Sequence, residues 1–100
     1  MQDITVTELK QRLDAGEKLA IIDVREPYEY EEFNIGATLI PLGSLALHLD
    51  DLEDYKDTEL ILHCRSGGRS GVAKQILMAH GFSKARNLLG GMLAWQAAAK

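Results

Sequence analysis

Apolar positions along the chain switch between two periods, and the switches mark the elements. Ile4-Thr5-Val6 predicts a short first strand. Thr7 stands where an N-cap is expected, Leu9 and Leu13 repeat at helical spacing, and Gly16 stops the pattern, which predicts a first helix. Leu19-Ala20-Ile21-Ile22 is apolar without alternation, the pattern of a strand buried on both faces in a parallel sheet. Pro27 predicts the first turn of a short helix with Glu29, Glu31 and Glu32 on a solvated face and Tyr28 and Phe33 as packing residues. Thr38-Leu39-Ile40 predicts a weak strand closed by Pro41. Ser44 predicts the cap of a helix with Leu45, Leu49 and Leu52 toward the core and His48 exposed on its other side. Leu60-Ile61-Leu62-His63 predicts the central strand, and Val72, Ala73, Ile76, Leu77 and His80 a helix that Gly81 ends. Arg86-Asn87-Leu88-Leu89 predicts a last strand, after which Gly90-Gly91 turns into a closing helix with Leu93 and Trp95, the latter an amphipathic core anchor. This alternation predicts an α/β fold: a mostly parallel central sheet of about five strands with helices on both faces, residues 1–100 forming one domain.

The composition, 46% hydrophobic and 26% charged, is that of a soluble globular domain. No apolar run approaches the ~18 residues of a membrane span, and the start has no signal-peptide pattern. A single cysteine excludes an intramolecular disulfide and predicts a reducing, cytoplasmic setting. His48, His63 and His80 are scattered without metal-ligand spacing, so no metal and no cofactor are expected, and neither nucleic acid nor membrane is an expected partner. The net charge of −4 hides a segregation: residues 1–59 carry five basic and all fifteen acidic side chains, residues 60–100 six basic and none acidic. If the fold keeps this segregation, the basic half presents a positive surface.

That basic half holds the one stretch with evident chemistry, His63-Cys64-Arg65-Ser66-Gly67-Gly68-Arg69-Ser70. The cysteine falls where a strand ends and a helix begins, at the first N–H groups and the positive end of the helix dipole. Gly67 and Gly68 let the backbone turn so that several N–H groups point at one spot, and Arg65 and Arg69 add positive charge. Such a setting lowers a thiol pKa from about 8.5 toward neutrality and binds anions. Without the Arg-Ser-Gly-Gly-Arg-Ser that follows it, Cys64 would read as a buried small hydrophobe. His63, one residue earlier on a strand, points to the opposite face. Asp23 and Arg25 stand at the C-terminal end of a predicted strand, the rim where open α/β sheets place their sites, and are expected to support the site by tying strand to loop.

The Cys64 stretch resembles the active-site loop of rhodanese-like sulfurtransferases. Ile21-Ile22-Asp23-Val24-Arg25-Glu26 followed by Tyr28-Glu29-Tyr30 resembles that family's Asp-Val-Arg-Glu signature, and Leu89-Gly90-Gly91 with Trp95 its C-terminal signature. The three lie in the family's order and span nearly the whole chain. Where the family often has Gly-His-Ile-Pro-Gly-Ala, this chain has Phe33-Asn34-Ile35-Gly36-Ala37 followed by Ile40-Pro41-Leu42, a form similar to rhodanese domains of sulfur-carrier-activating enzymes.

The resemblance implies that Cys64 takes sulfane sulfur from an anionic donor such as thiosulfate and holds it as a persulfide. Arg65, Ser66, Gly67, Gly68, Arg69 and Ser70 are then the substrate-binding loop. With no second cysteine to resolve the persulfide, the acceptor comes from outside: cyanide, a small thiol or a sulfur-carrier protein. Arg65 is a candidate to hold the donor's sulfonate, and Arg69 to brace the loop. Two other classes compete. One is a Cys-dependent phosphatase or arsenate reductase, whose signature has five residues between Cys and Arg where this loop has four between Cys64 and Arg69. The other is a non-catalytic binding module on the same fold, a reading that the retained cysteine, glycines and arginines oppose.

Overall fold

A computed structural model describes residues 2–98. Four strands, β1 (Ala20–Asp23), β2 (Thr38–Leu39), β3 (Leu60–His63) and β4 (Ala85–Asn87), form one parallel sheet in the order β2-β1-β3-β4. Ala20 lies opposite Leu60, Asp23 opposite His63, and Leu62 opposite Asn87. The helices are α1 (Val6–Asp14), α2 (Pro27–Glu32), α3 (Gly68–Ala79) and α4 (Gly91–Ala98), with two 3₁₀ segments, Leu42–His48 and Asp50–Tyr55, between β2 and β3.

Alternation along the strands sorts the interior into two cores, one on each face of the sheet. Leu60, Leu62 and Cys64 of β3 and its extension pack with Ile22, Val24, Leu45, Leu52, Ala73, Leu77 and Phe82, under α3 and the 3₁₀ segments. Ile61 points the other way, into a smaller core with Ile4, Leu9, Leu88 and Met92, against which Leu13 and Trp95 pack. All four residues of β3 are buried, and each fully buried Leu or Ile contributes about 1.5–3 kcal/mol. The central strand that delivers Cys64 is therefore held from both faces.

The expected first strand shrinks to a bridge between Ile4 and Leu88, with Ile4 N donating to Asn87 O and Leu89 N to Ile4 O. Helix α1 begins too early for more: Thr5, not Thr7, caps it, its Oγ1 accepting from Glu8 N at 3.1 Å. The helix expected from Ser44 is replaced by the two 3₁₀ segments, which still bury Leu45 and Leu52. Trp95 is half-buried at the edge of the smaller core, with Lys10 Nζ 5.4 Å from its ring centroid.

Folding also undoes the charge segregation of the sequence. Lys74 pairs with Asp3 at 2.7 Å, Arg86 with Glu59 at 2.6 Å, and Arg69 with Glu29 at 2.7 Å. Each pair joins a cation of the basic half to an acid of the acidic half. Glu59 also accepts from both terminal nitrogens of Arg12, whose bonds, aided by Arg86, outweigh burial and hold its carboxyl at about 2. No helix among the described residues is long and apolar enough to cross a membrane.

Candidate active site

Strand β3 ends at His63, and α3 starts at Gly68, so the chain must reverse within Cys64–Gly67. Gly67 makes the reversal in the left-handed region, at φ 105°, where a side chain would be strained. The turn brings donors onto the thiol. Sγ of Cys64 lies 3.1 Å from Gly67 N, 3.4 Å from Ser70 N and 3.4 Å from Ser70 Oγ. Burial pushes the Cys64 thiol up, but the Ser70 hydroxyl and the N–H groups of Ser70, Gly67 and Ser66 outweigh it and hold it below its ordinary value. Cys64 is only 1% exposed, so the sulfur sits at the floor of this cradle.

The outer side of the loop is fixed by α4. Met92 N donates to Cys64 O at 2.9 Å and Leu93 N to Arg65 O at 3.0 Å, so first-turn N–H groups without helical partners satisfy the loop's carbonyls. This approach explains the Gly-Gly of the C-terminal signature: Gly91 has φ 55°, and a Cβ there would collide with the Cys64 carbonyl oxygen.

The sequence-predicted residues are brought together unequally. Cys64, Ser66, Gly67 and Ser70 supply the sulfur and its donors. Gly68 opens α3. Arg65 is exposed and makes no ion pair among the described residues; it lines a hollow of about 230 Å³ beside the loop with Arg25, Tyr28, Phe33 and Leu93. Arg69 does not point a free charge at the sulfur. Its Nη1 and Nη2 donate to the two carboxylate oxygens of Glu29 at 2.7 and 2.8 Å. Those bonds outweigh burial and hold the Glu29 carboxyl at about 2. Asp23 and Arg25 form a buried pair, Nε to Oδ1 at 2.9 Å and Nη2 to Oδ2 at 2.7 Å. Arg25 Nη2 also reaches Phe33 O at 2.7 Å, which ties the end of β1 to the chain after α2.

His63 is fully buried, with Nε2 3.7 Å from Asp23 Oδ2 and no hydrogen-bond partner for either ring nitrogen among the described residues. Burial pushes its pKa down against the pull of Asp23, so the ring is neutral near pH 7. A larger cavity of about 750 Å³ opens between Leu19–Ile22, Ile35–Ile40 and the second 3₁₀ segment, and none of the loop residues lines it.

Two residues that sequence reasoning passed over belong to this site. Glu29, expected on a solvated face, is the partner of Arg69; nothing in the sequence links it to a loop 40 residues away. Asn87, at the end of β4, accepts at Oδ1 from Ser70 Oγ at 2.5 Å and donates from Nδ2 to Gly67 O at 3.1 Å. Its signal was an amide side chain next to the apolar Leu88-Leu89 that precedes Gly90-Gly91.

A thiol buried at a strand-to-helix turn, ringed by N–H groups and clamped by a Gly-Gly helix start, is a site fitted to an anionic sulfur at the rim of an α/β sheet. Residues 5–98 match the Rhodanese-like domain family, and the chain belongs to it. It is 41% identical over 93 residues to the probable adenylyltransferase/sulfurtransferase MoeZ of Mycobacterium tuberculosis, covering 92% of this chain but only 24% of that protein. It is 38% identical over 101 residues to the putative sulfurtransferase YtwF of Bacillus subtilis, covering 100% of this chain and 95% of that protein. Among solved structures, a rhodanese-like domain protein from Staphylococcus aureus superposes with a TM-score of 0.83 at 35% identity, over 95% of this chain and 91% of that one. These relatives support a sulfurtransferase role in general terms.

Proposed function

We propose that the protein carries sulfane sulfur as a persulfide on Cys64, taking it from an anionic donor such as thiosulfate and passing it to an external thiophilic acceptor. The observation that carries this reading is the convergence of Gly67 N, Ser70 N and Ser70 Oγ on one sulfur whose pKa they lower. In the first half-reaction, the Cys64 thiolate attacks the outer sulfur of thiosulfate. The new S–S bond forms as the old one breaks, and sulfite leaves with the bonding pair. The cradle stabilises the anionic sulfur as an oxyanion hole would. In the second, a nucleophile such as cyanide attacks the outer sulfur of Cys64–S–S⁻, and the thiolate returns with thiocyanate as product.

Arg65, exposed beside the loop, is the candidate to hold the donor's sulfonate, while Arg69 braces the loop through Glu29. The acceptor is cyanide in an assay and a small thiol or sulfur-carrier protein otherwise. The carrier reading draws on the likeness to MoeZ. A cytoplasmic setting fits a lone thiol that must stay reduced. Intact mass after thiosulfate treatment tests the proposal: a gain of one sulfur, absent in Cys64→Ser and removed by cyanide, is expected. Protein that gains no sulfur while its Cys64 remains alkylatable would overturn it.

A further inference from the structure

The Ser70 hydroxyl carries one proton and stands between two acceptors. Its Oγ is 2.5 Å from Asn87 Oδ1 and 3.4 Å from Cys64 Sγ. The Asn87 amide has a fixed orientation, because Nδ2 donates to Gly67 O at 3.1 Å and that leaves Oδ1, an acceptor only, facing Ser70. At the short contact Ser70 must therefore be the donor, and its proton is not then available to the sulfur. Both side chains are buried, Ser70 at 0% and Asn87 at 9% exposure, so water is a poor substitute for either acceptor.

We propose that Asn87 is a positioning residue that decides whether the single Ser70 proton lies on the Asn87 carbonyl or on Cys64 Sγ, and so how many donors the sulfur anion receives. With a neutral thiol, the S–H can donate to Ser70 Oγ while Ser70 donates to Asn87. When the sulfur becomes an anion, its charge outbids the neutral amide, and the hydroxyl turns to Sγ as a further donor beside the N–H groups of Gly67, Ser70 and Ser66. The same exchange applies when charge appears or vanishes during sulfur transfer, so the inference rests on Cys64 being the sulfur carrier. Asn87 opposes the thiolate through Oδ1 and supports the loop turn through Nδ2.

A double-mutant cycle separates these two actions. The Cys64 pKa is read from the pH dependence of iodoacetamide alkylation in the full chain and in Ser70→Ala, Asn87→Ala and the double variant, with circular dichroism as the folding check. The charged groups around the loop, Arg65, the pairs Arg69–Glu29 and Arg25–Asp23, and Asp3–Lys74 behind Asn87, are unchanged in every variant. Ser70→Ala is expected to raise the Cys64 pKa. Asn87→Ala is expected to move the pKa lower when Ser70 is present than in the Ser70→Ala background, by half a pH unit or more.

Equal shifts in the two backgrounds would overturn the proposal, because Asn87 would then act on the loop alone. A difference of opposite sign would overturn it too, because Asn87 would then be holding the hydroxyl toward the sulfur. If Asn87→Ala fails to fold, Asn87→Asp takes its place in the cycle. Its charged acceptor claims the hydroxyl more strongly, so it should raise the pKa more when Ser70 is present than in the Ser70→Ala background, and equal effects again overturn the inference. Alkylation reads the thiol without any sulfur donor, so it can fail while sulfur loading succeeds, and the reverse.

Discussion

The carboxylate of Glu29 grips both terminal nitrogens of Arg69, at 2.7 and 2.8 Å, so the second arginine of the Cys64 stretch is committed to α2. Glu29→Gln keeps one acceptor and removes the charge. Arg69 then adds its charge to that of Arg65 at the loop. We expect kcat/KM for thiosulfate to rise severalfold at low ionic strength, with a steeper fall as salt is added. The lost pair costs about 1 kcal/mol, since Arg69 is partly solvated, and so about 4–8 °C in Tm. Steady-state kinetics across a salt series that matched the parent would show that the freed charge does not reach the donor.

Acid stability follows from the two carboxyls held at about 2, Glu29 and Glu59. Their folded pKa lies below the unfolded value near 4.5, so their contribution is complete above that value. It is lost as pH falls from about 4.5 toward about 2. Chemical denaturation at pH 7, 4 and 3 should show stability falling across this window. Glu59→Gln should be less stable than the parent at pH 7, with the difference shrinking at pH 3. A difference that stays constant with pH would show that packing, not ionisation, carries the effect.

Arg65 makes no ion pair among the described residues and lines the hollow beside the loop. Arg65→Ala should raise KM for thiosulfate severalfold and flatten its salt dependence. A matching loss in kcat would show that Arg65 also stabilises the departing sulfite. Kinetics unchanged in both respects would assign donor binding to the backbone N–H groups.

Gly91→Ala tests the clamp on the loop. The new Cβ meets the Cys64 carbonyl, so either α4 or the loop must shift. Overpacking of this kind costs about 1–3 kcal/mol. We expect a lower Tm, slower alkylation of Cys64 and at least a tenfold loss of sulfur transfer. Gly43→Ala, where a Cβ meets nothing within 4 Å, is the control and should leave all three nearly unchanged.

The legibility of the sequence divides by the range of the interaction. The parallel sheet, the strand that delivers Cys64 and the glycines at 67 and 91 were readable, because each is dictated by local pattern or backbone geometry. The α1 cap was misassigned to Thr7: Thr5, followed three residues later by Glu8 at capping-box spacing, caps the helix instead. The 3₁₀ segments were not readable, since Leu45, Leu49 and Leu52 satisfy a helical period as well. There, Gly43 and the aspartates at 50, 51 and 54 are poor helix formers that weaken a continuous helix. Glu29 and Asn87 act through partners 40 and 17 residues away, contacts that no window of sequence contains. The charge blocks misled for the same reason: they describe the chain, whereas pairs such as Lys74 with Asp3 describe the folded surface.

Cys64 is where the two sides of the sheet meet. Its side chain lies in the core under α3, while its carbonyl is held by the N–H of Met92, whose side chain lies in the core under α1 and α4. Cys64 is thus a joint between two independently packed halves, and slack in either is felt at the sulfur. A cavity cut at Leu9, far along the chain and on the opposite face, would loosen α4 and with it the peptide that aims the thiol. Changes in reactivity here need not begin anywhere near the loop.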